Sequence, residues 1–113
     1  MLTIYHNPRC SKSRETLELI KTNSNKEINV IEYLKNPINQ ETIEKLLTLL
    51  ACSPIEMMRV KETEFTEQNL KGADDKTLIA AMAATPKLIE RPIVTDGKKA
   101  VIGRPPQNAL ALC

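Results

Sequence analysis

The sequence predicts an α/β fold, a four-stranded mixed sheet flanked by helices, with a helical insertion at about residues 37–73 after the first β-α-β unit. Three observations lead there. The chain opens as strand, helix, strand. It closes with a β-hairpin and a last helix. The stretch between carries helical stripes and turn signals but no alternating strand pattern. A chain of 113 residues is one domain, long enough for a real core and short for two.

Leu2 to Tyr5 is a short apolar strand ended by His6-Asn7-Pro8. A helix starts at about Ser11, where Ser11, Ser13 and Glu15 suit a first turn and Leu17, Leu19 and Ile20 supply apolar weight; it runs down near Thr22-Asn23. Glu27 to Tyr33 reads as the second strand, with Ile28, Val30 and Ile31 directed to the core. Strand, helix, strand at this spacing implies two parallel strands joined by a crossover. Asn36-Pro37 breaks the chain, and Asn39 caps a helix whose Ile43, Leu46, Leu47 and Leu50 fall on one face. Ser53-Pro54 starts a short helix carrying Ile55, Met57 and Met58, whereas Thr63 to Ala73 is polar and poorly patterned. Asp74-Asp75 caps a helix with Leu78, Ile79 and Met82 that stops before Pro86. Pro92 to Thr95 and Lys98 to Ile102 flank Asp96-Gly97, which predicts a hairpin with a type I′ turn. Pro105 then takes the first position of a last helix through Leu112.

Composition narrows the function classes. A net charge of +2 is too weak to imply nucleic-acid binding, and 3% aromatics without tryptophan leave no base-stacking platform. The start lacks the basic stretch and apolar run of a signal peptide, and no apolar run reaches the length of a membrane span. The expectation is a soluble, cytoplasmic protein with neither membrane nor nucleic-acid partners. Three cysteines are an odd number in a reducing compartment, so no disulfide framework is expected. The spacing of Cys10, Cys52 and Cys113, with a single histidine, does not suit a metal site.

Chemistry concentrates at Cys10, in the turn between the first strand and the first helix. A thiolate there meets the free N–H groups and the positive dipole end of the helix, which favour ionisation. Arg9, Lys12 and Arg14 add positive charge nearby in sequence. Cys10-Ser11-Lys12-Ser13 is C-x-x-S, where thioredoxin-like redox proteins often carry C-x-x-C; without a local resolving thiol, an oxidised Cys10 needs an external thiol or a distant cysteine. Pro92 is expected to be cis, since thioredoxin-like folds place such a bond opposite the nucleophilic cysteine. Arg59, Arg91 and Arg104 each border an element near the same sheet edge, and converging guanidiniums make an oxyanion site, although a lone arginine is more often a solvated charge. His6 either supports the thiolate as an imidazolium or satisfies a strand-end carbonyl. Ser13 either donates to the Cys10 sulfur or simply occupies the first helical turn. Cys52 reads as packing, Cys113 as a mobile terminus with a resolving thiol as its alternative role, and Lys61 to Lys71 as a solvated face or loop.

The run Tyr5-His6-Asn7-Pro8-Arg9-Cys10-Ser11-Lys12-Ser13-Arg14-Glu15-Thr16-Leu17 resembles the signature of the glutaredoxin-coupled arsenate reductase family, in its short bacterial YfgD-like branch. Leu34-x-x-Pro37, Glu90-Arg91-Pro92-Ile93-Val94 and Gly103-Arg104-Pro105-Pro106 match the same family, so the resemblance spans the whole chain. It implies a thioredoxin-like domain with a helical insertion and no bound cofactor. Cys10 would attack arsenate, glutathione would act as co-substrate, and glutaredoxin would resolve the mixed disulfide as arsenite leaves. The arginines matching Arg59, Arg91 and Arg104 would hold the oxyanion, and His6 would help keep Cys10 ionised. The chain stops at Cys113, whereas arsenate reductases of the family carry a longer C-terminal tail.

Other designs fit less well. The phosphatase loop C-x5-R would need an arginine where Thr16 stands. A general glutathione-dependent thiol-disulfide oxidoreductase would have no use for an oxyanion clamp. A non-enzymatic regulator resembling Spx commonly senses oxidant through C-x-x-C, and here the second position is Ser13.

Overall fold

The computed structural model describes residues 1–113, which divide into two compact units: residues 1–36 with 91–113, and residues 37–90. The first unit holds strands β1 (Leu2–His6), β2 (Ile28–Glu32), β3 (Ile93–Thr95) and β4 (Ala100–Ile102), helix α1 (Ser11–Asn23), and a C-terminal 3-10 helix, Pro106–Leu112. The sheet runs β2-β1-β3-β4, with β1 parallel to β2 and antiparallel to β3, and β3 antiparallel to β4. This is the predicted four-stranded mixed sheet flanked by helices.

Alternation along β1 puts Leu2 and Ile4 on one face, and Ile4 lies opposite Val94 of β3. That face packs with Ile20 of α1 and with Ala109 and Leu112 of the C-terminal helix, while Leu17, Ile28 and Val101 close the margin. Burying an aliphatic side chain of this size contributes about 1.5–3 kcal/mol, so the cluster anchors α1 firmly on the sheet. The Lys26 ammonium adds a 2.8 Å hydrogen bond to the Leu112 carbonyl.

The second unit is helical. It contains α2 (Gln40–Leu50), a 3-10 turn at Pro54–Met57, α3 (Thr63–Glu67), α4 (Asp75–Ala84) and a 3-10 turn at Pro86–Leu88. Asn39 Oδ1 accepts from the Thr42 N–H at 2.9 Å and Asp74 Oδ1 from the Thr77 N–H at 2.8 Å, so both predicted caps close. Ile43, Leu46 and Leu47 of α2 are buried, as are Leu78, Ala81 and Met82 of α4, and the two helices pack together. That contact carries the unit past residue 73, to Glu90.

Four local expectations are corrected. β2 is an edge strand, so Ile28 and Ile31 are only half-buried and Val30 is 43% exposed. The hairpin pairs Thr95 with Ala100, leaving residues 96–99 as the connection instead of a two-residue turn. A type I′ turn needs two residues with positive φ, and only Gly97 has one, at 90°. Asp96 Oδ1 accepts from the N–H groups of Lys98 and Lys99, which shapes the longer loop. Pro105 precedes the last helix, and Pro106 takes its first position. Within the stretch read as solvated, α3 buries Phe65, and Leu70 is buried just beyond it.

Candidate active site

Cys10 occupies the N-cap position of α1, with extended backbone (φ −95°, ψ 122°) and a half-buried side chain. No acidic residue stands in the first turn of the helix to compete with a thiolate there. Burial pushes the thiol pKa up. The Ser13 N–H, the Arg91 charge, the Lys12 N–H and a hydrogen bond from Arg91 together outweigh it, and the net pKa is lowered. The Arg104 Nη1 also donates to the sulfur, at 3.8 Å. Two of the three predicted arginines, Arg91 and Arg104, therefore meet at Cys10. Both precede cis-prolines: the Arg91–Pro92 bond is cis as expected, and the Arg104–Pro105 bond is cis as well.

The cations nearest in sequence are directed elsewhere. Arg14 donates to the Pro8 carbonyl at 3.0 Å, and Lys12 pairs with Glu15 at 3.5 Å. Arg9 is exposed, its N–H donating to Asn7 Oδ1. Lys12 favours the thiolate through its main-chain N–H and not through its ammonium. Arg59 belongs to the second unit, where its guanidinium forms an ion pair with Glu62. Lys87 holds the other oxygen of Glu62 at 3.6 Å and reaches Glu64 at 3.4 Å.

His6 and Ser13 form a pair. Both are buried, and His6 Nδ1 and Ser13 Oγ share a 2.7 Å hydrogen bond. The Asn7 N–H donates to the same oxygen at 3.0 Å. Burial lowers the His6 pKa; Glu32 opposes this, and Arg14 and Lys21 reinforce it. With the imidazole neutral, the Ser13 hydroxyl donates to Nδ1 while accepting from Asn7, which satisfies the serine and puts the ring proton on Nε2. In the structure His6 thus meets the hydroxyl of Ser13. Ser13 faces the sulfur with its N–H, its hydroxyl being committed to His6.

Two residues to which sequence reasoning gave no role adjoin this centre. Thr16 is fully buried, and Gly103, also buried, lies against it. The signal for Thr16 was available: Ser13, Thr16 and Ile20 share one face of α1, and all three are buried. Cys52 is half-buried in the helical unit, its pKa raised by burial and by Glu56. Cys113 is exposed, its thiol within 3.5 Å of the Ala109 carbonyl.

A mixed sheet of order β2-β1-β3-β4, a half-buried cysteine at the N-cap position of the first helix and a cis-proline just before β3 define a thioredoxin-like protein. Comparison with known proteins agrees. The chain belongs to the ArsC family, whose model matches residues 5–112. It is 49% identical over 112 residues to the uncharacterized protein YfgD of Escherichia coli (strain K12), covering 96% of this chain and 93% of that one. It is 41% identical over 114 residues to an arsenate reductase of Haemophilus influenzae, covering 96% of each. Among solved structures it superposes on an arsenate reductase from Vibrio cholerae with a TM-score of 0.93 at 43% identity, over 99% of this chain and 97% of that one. A putative arsenate reductase from Yersinia pestis gives 0.92 at 45% identity, over 98% and 99%. None of the described helices is long and apolar enough to cross a membrane.

Proposed function

We propose that this chain is a cytoplasmic arsenate reductase that uses glutathione and glutaredoxin as reductants, with Cys10 as nucleophile. The observation that carries the reading is Cys10 at the N-cap position of α1 with its pKa lowered and the guanidiniums of Arg91 and Arg104 at its sulfur. A tetrahedral oxyanion is the ligand for which planar guanidinium forks are suited, and a plain disulfide exchange has no use for two of them.

In this reading the Cys10 thiolate attacks arsenic(V), forming a sulfur–arsenic bond as a protonated oxygen leaves as water. Arg91 and Arg104 hold the remaining oxygens, and Arg59 supplies the third guanidinium that the family resemblance assigns. A glutathione thiol displaces a second oxygen, again as water. The two sulfurs then join, their bonds to arsenic breaking as two electrons pass to it, and arsenic(III) takes up one water and departs as arsenite. Glutaredoxin exchanges with the mixed disulfide and returns Cys10 to the thiol state. Ser13 assists ionisation through its N–H, and His6 positions Ser13. The hydroxyl at position 13 leaves no local resolving thiol, which favours this monothiol route over a C-x-x-C redox sensor.

The test is arsenate-dependent NADPH oxidation coupled through glutathione, glutaredoxin and glutathione reductase. Wild type is expected to turn over and Cys10→Ser to be inactive. Activity retained by Cys10→Ser would remove the thiol from the mechanism. A wild type without turnover, but with a reactive low-pKa Cys10, would replace arsenate reduction with general thiol-disulfide exchange or regulation.

A further inference from the structure

We propose that Thr16 is a positioning residue: its hydroxyl ties the first turn of α1, which carries Cys10, to Gly103, and so holds Arg104 at the sulfur. The inference rests on Cys10 and Arg104 acting together as proposed above, but not on the identity of the oxyanion.

Thr16 Oγ1 lies 2.7 Å from the Lys12 carbonyl and 3.2 Å from the Gly103 carbonyl, so its one hydrogen is shared between a helical carbonyl and one 87 residues further along the chain. The first contact is common for threonine within a helix. The second is not helical, and it is made by a side chain with no exposure to solvent. Gly103 is held from its other side too, its N–H donating to the Pro92 carbonyl at 2.9 Å. A Cβ at position 103 would fall 2.7 Å from Thr16 Oγ1, 2.9 Å from Thr16 Cγ2 and 2.9 Å from Pro92 Cγ. Glycine is required there because the backbone approaches both neighbours this closely.

The consequence is geometric. Arg91 adjoins Pro92, Arg104 adjoins Gly103, and Cys10 lies on the first turn that Thr16 caps from within. Three chain segments that each bring one group to the site are thereby joined through one buried glycine and one hydroxyl. Displacing Gly103 would move the start of the Arg104 side chain, whereas the Ser13 and Lys12 N–H groups would stay with their own helix. Thr16 therefore acts on the Arg104 contribution to the thiolate and leaves the helical contribution in place.

Thr16→Val keeps the shape and removes the hydroxyl. The pH dependence of Cys10 alkylation by iodoacetamide, followed by mass spectrometry, reads the thiolate without arsenate, glutathione or glutaredoxin. The midpoint is expected to rise in Thr16→Val and to return towards wild type in Thr16→Ser. The coupling between Thr16 and Arg104 should be roughly fivefold in thiolate fraction, within the range usual for residues coupled through a shared backbone shift. In an Arg104→Ala background Thr16→Val should produce no further shift. An unchanged midpoint in Thr16→Val, or the same shift with and without Arg104, would overturn the proposal. If Thr16→Val does not fold, Thr16→Ala, which leaves room instead of filling it, is read in the same two backgrounds with the same outcomes. Because this readout contains no arsenate, it can succeed where the assay for arsenate reduction fails, and the reverse.

Discussion

Cys10 stands between opposing influences. Withdrawal from water favours its thiol, while two N–H groups and two guanidiniums favour its thiolate. Alkylation of Cys10 should therefore show a midpoint below the value of about 8.5 for a free cysteine, and Arg91→Lys should raise it only slightly, because the charge survives. The same variant loses the planar fork, so its KM for arsenate should rise roughly tenfold, about one charge-assisted hydrogen bond, with a smaller change in kcat. Ser13→Ala would leave the buried His6 Nδ1 and the part-buried Asn7 N–H without their partner. A loss of about 1–3 kcal/mol in urea unfolding is expected. His6 also makes stability depend on pH. Burial lowers its folded pKa, so the unfolded chain binds a proton first as the solution is acidified. Its contribution is complete above the ordinary imidazole value of about 6.5 and is lost as pH falls through that value towards the lowered folded one. Urea midpoints of wild type should therefore fall more steeply between neutral and mildly acidic pH than those of His6→Gln.

At the scale of elements, what was legible depended on how local the cause is. The caps of α2 and α4 were readable because an asparagine or aspartate bonds an N–H three residues away, whatever surrounds it. Asn39→Ala and Asp74→Ala should each cost about 1 kcal/mol in thermal or chemical unfolding. The start of α1 at Ser11 was legible from Ser11 and Ser13 in its first turn, although no side chain caps it and Glu15 lies beyond that turn. Local reading failed for β2, whose apolar pattern is that of a core strand although its place is at the sheet edge. It failed again at residues 96–99, where Asp96-Gly97 suggested a two-residue turn and the pairing of Thr95 with Ala100 imposed a longer one. In α3 the apolar signal is a single phenylalanine among charged residues, too sparse to show a period, yet Phe65 is buried.

For the whole molecule, the division at Asn36/Pro37 and Glu90/Arg91 separates the proposed arginines. Arg91 and Arg104 share a unit with Cys10, whereas Arg59 sits in the helical unit within a network of Glu62, Glu64 and Lys87. Arg59→Ala should raise the KM for arsenate, as removal of an oxyanion ligand does, and leave the midpoint of Cys10 alkylation where it is in wild type. A shift of that midpoint would mean that Arg59 acts on the thiol itself and not on the substrate.

Apart from α3 and the 3-10 turn at Pro86–Leu88, the sequence by itself determined the order of elements, the thiol at the start of α1 and the family, because each is written in short runs of residues, and the cis bond before Pro92 followed from the fold class those runs imply. Only the tertiary structure decided what acts on that thiol. Arg14 and Lys12, adjacent in sequence, turn to Pro8 and Glu15, while Arg104, 94 residues away, reaches the sulfur. His6 and Ser13 each looked free to serve Cys10, and burial joined them to each other. Thr16 and Gly103 stood within the family motifs with no role of their own, and their closeness exists only because α1 packs beside the end of β4. The physical reason is range: capping, turn and helix propensity act over three or four residues, whereas the field at a half-buried sulfur is set by whichever groups the folded chain brings within a few ångströms.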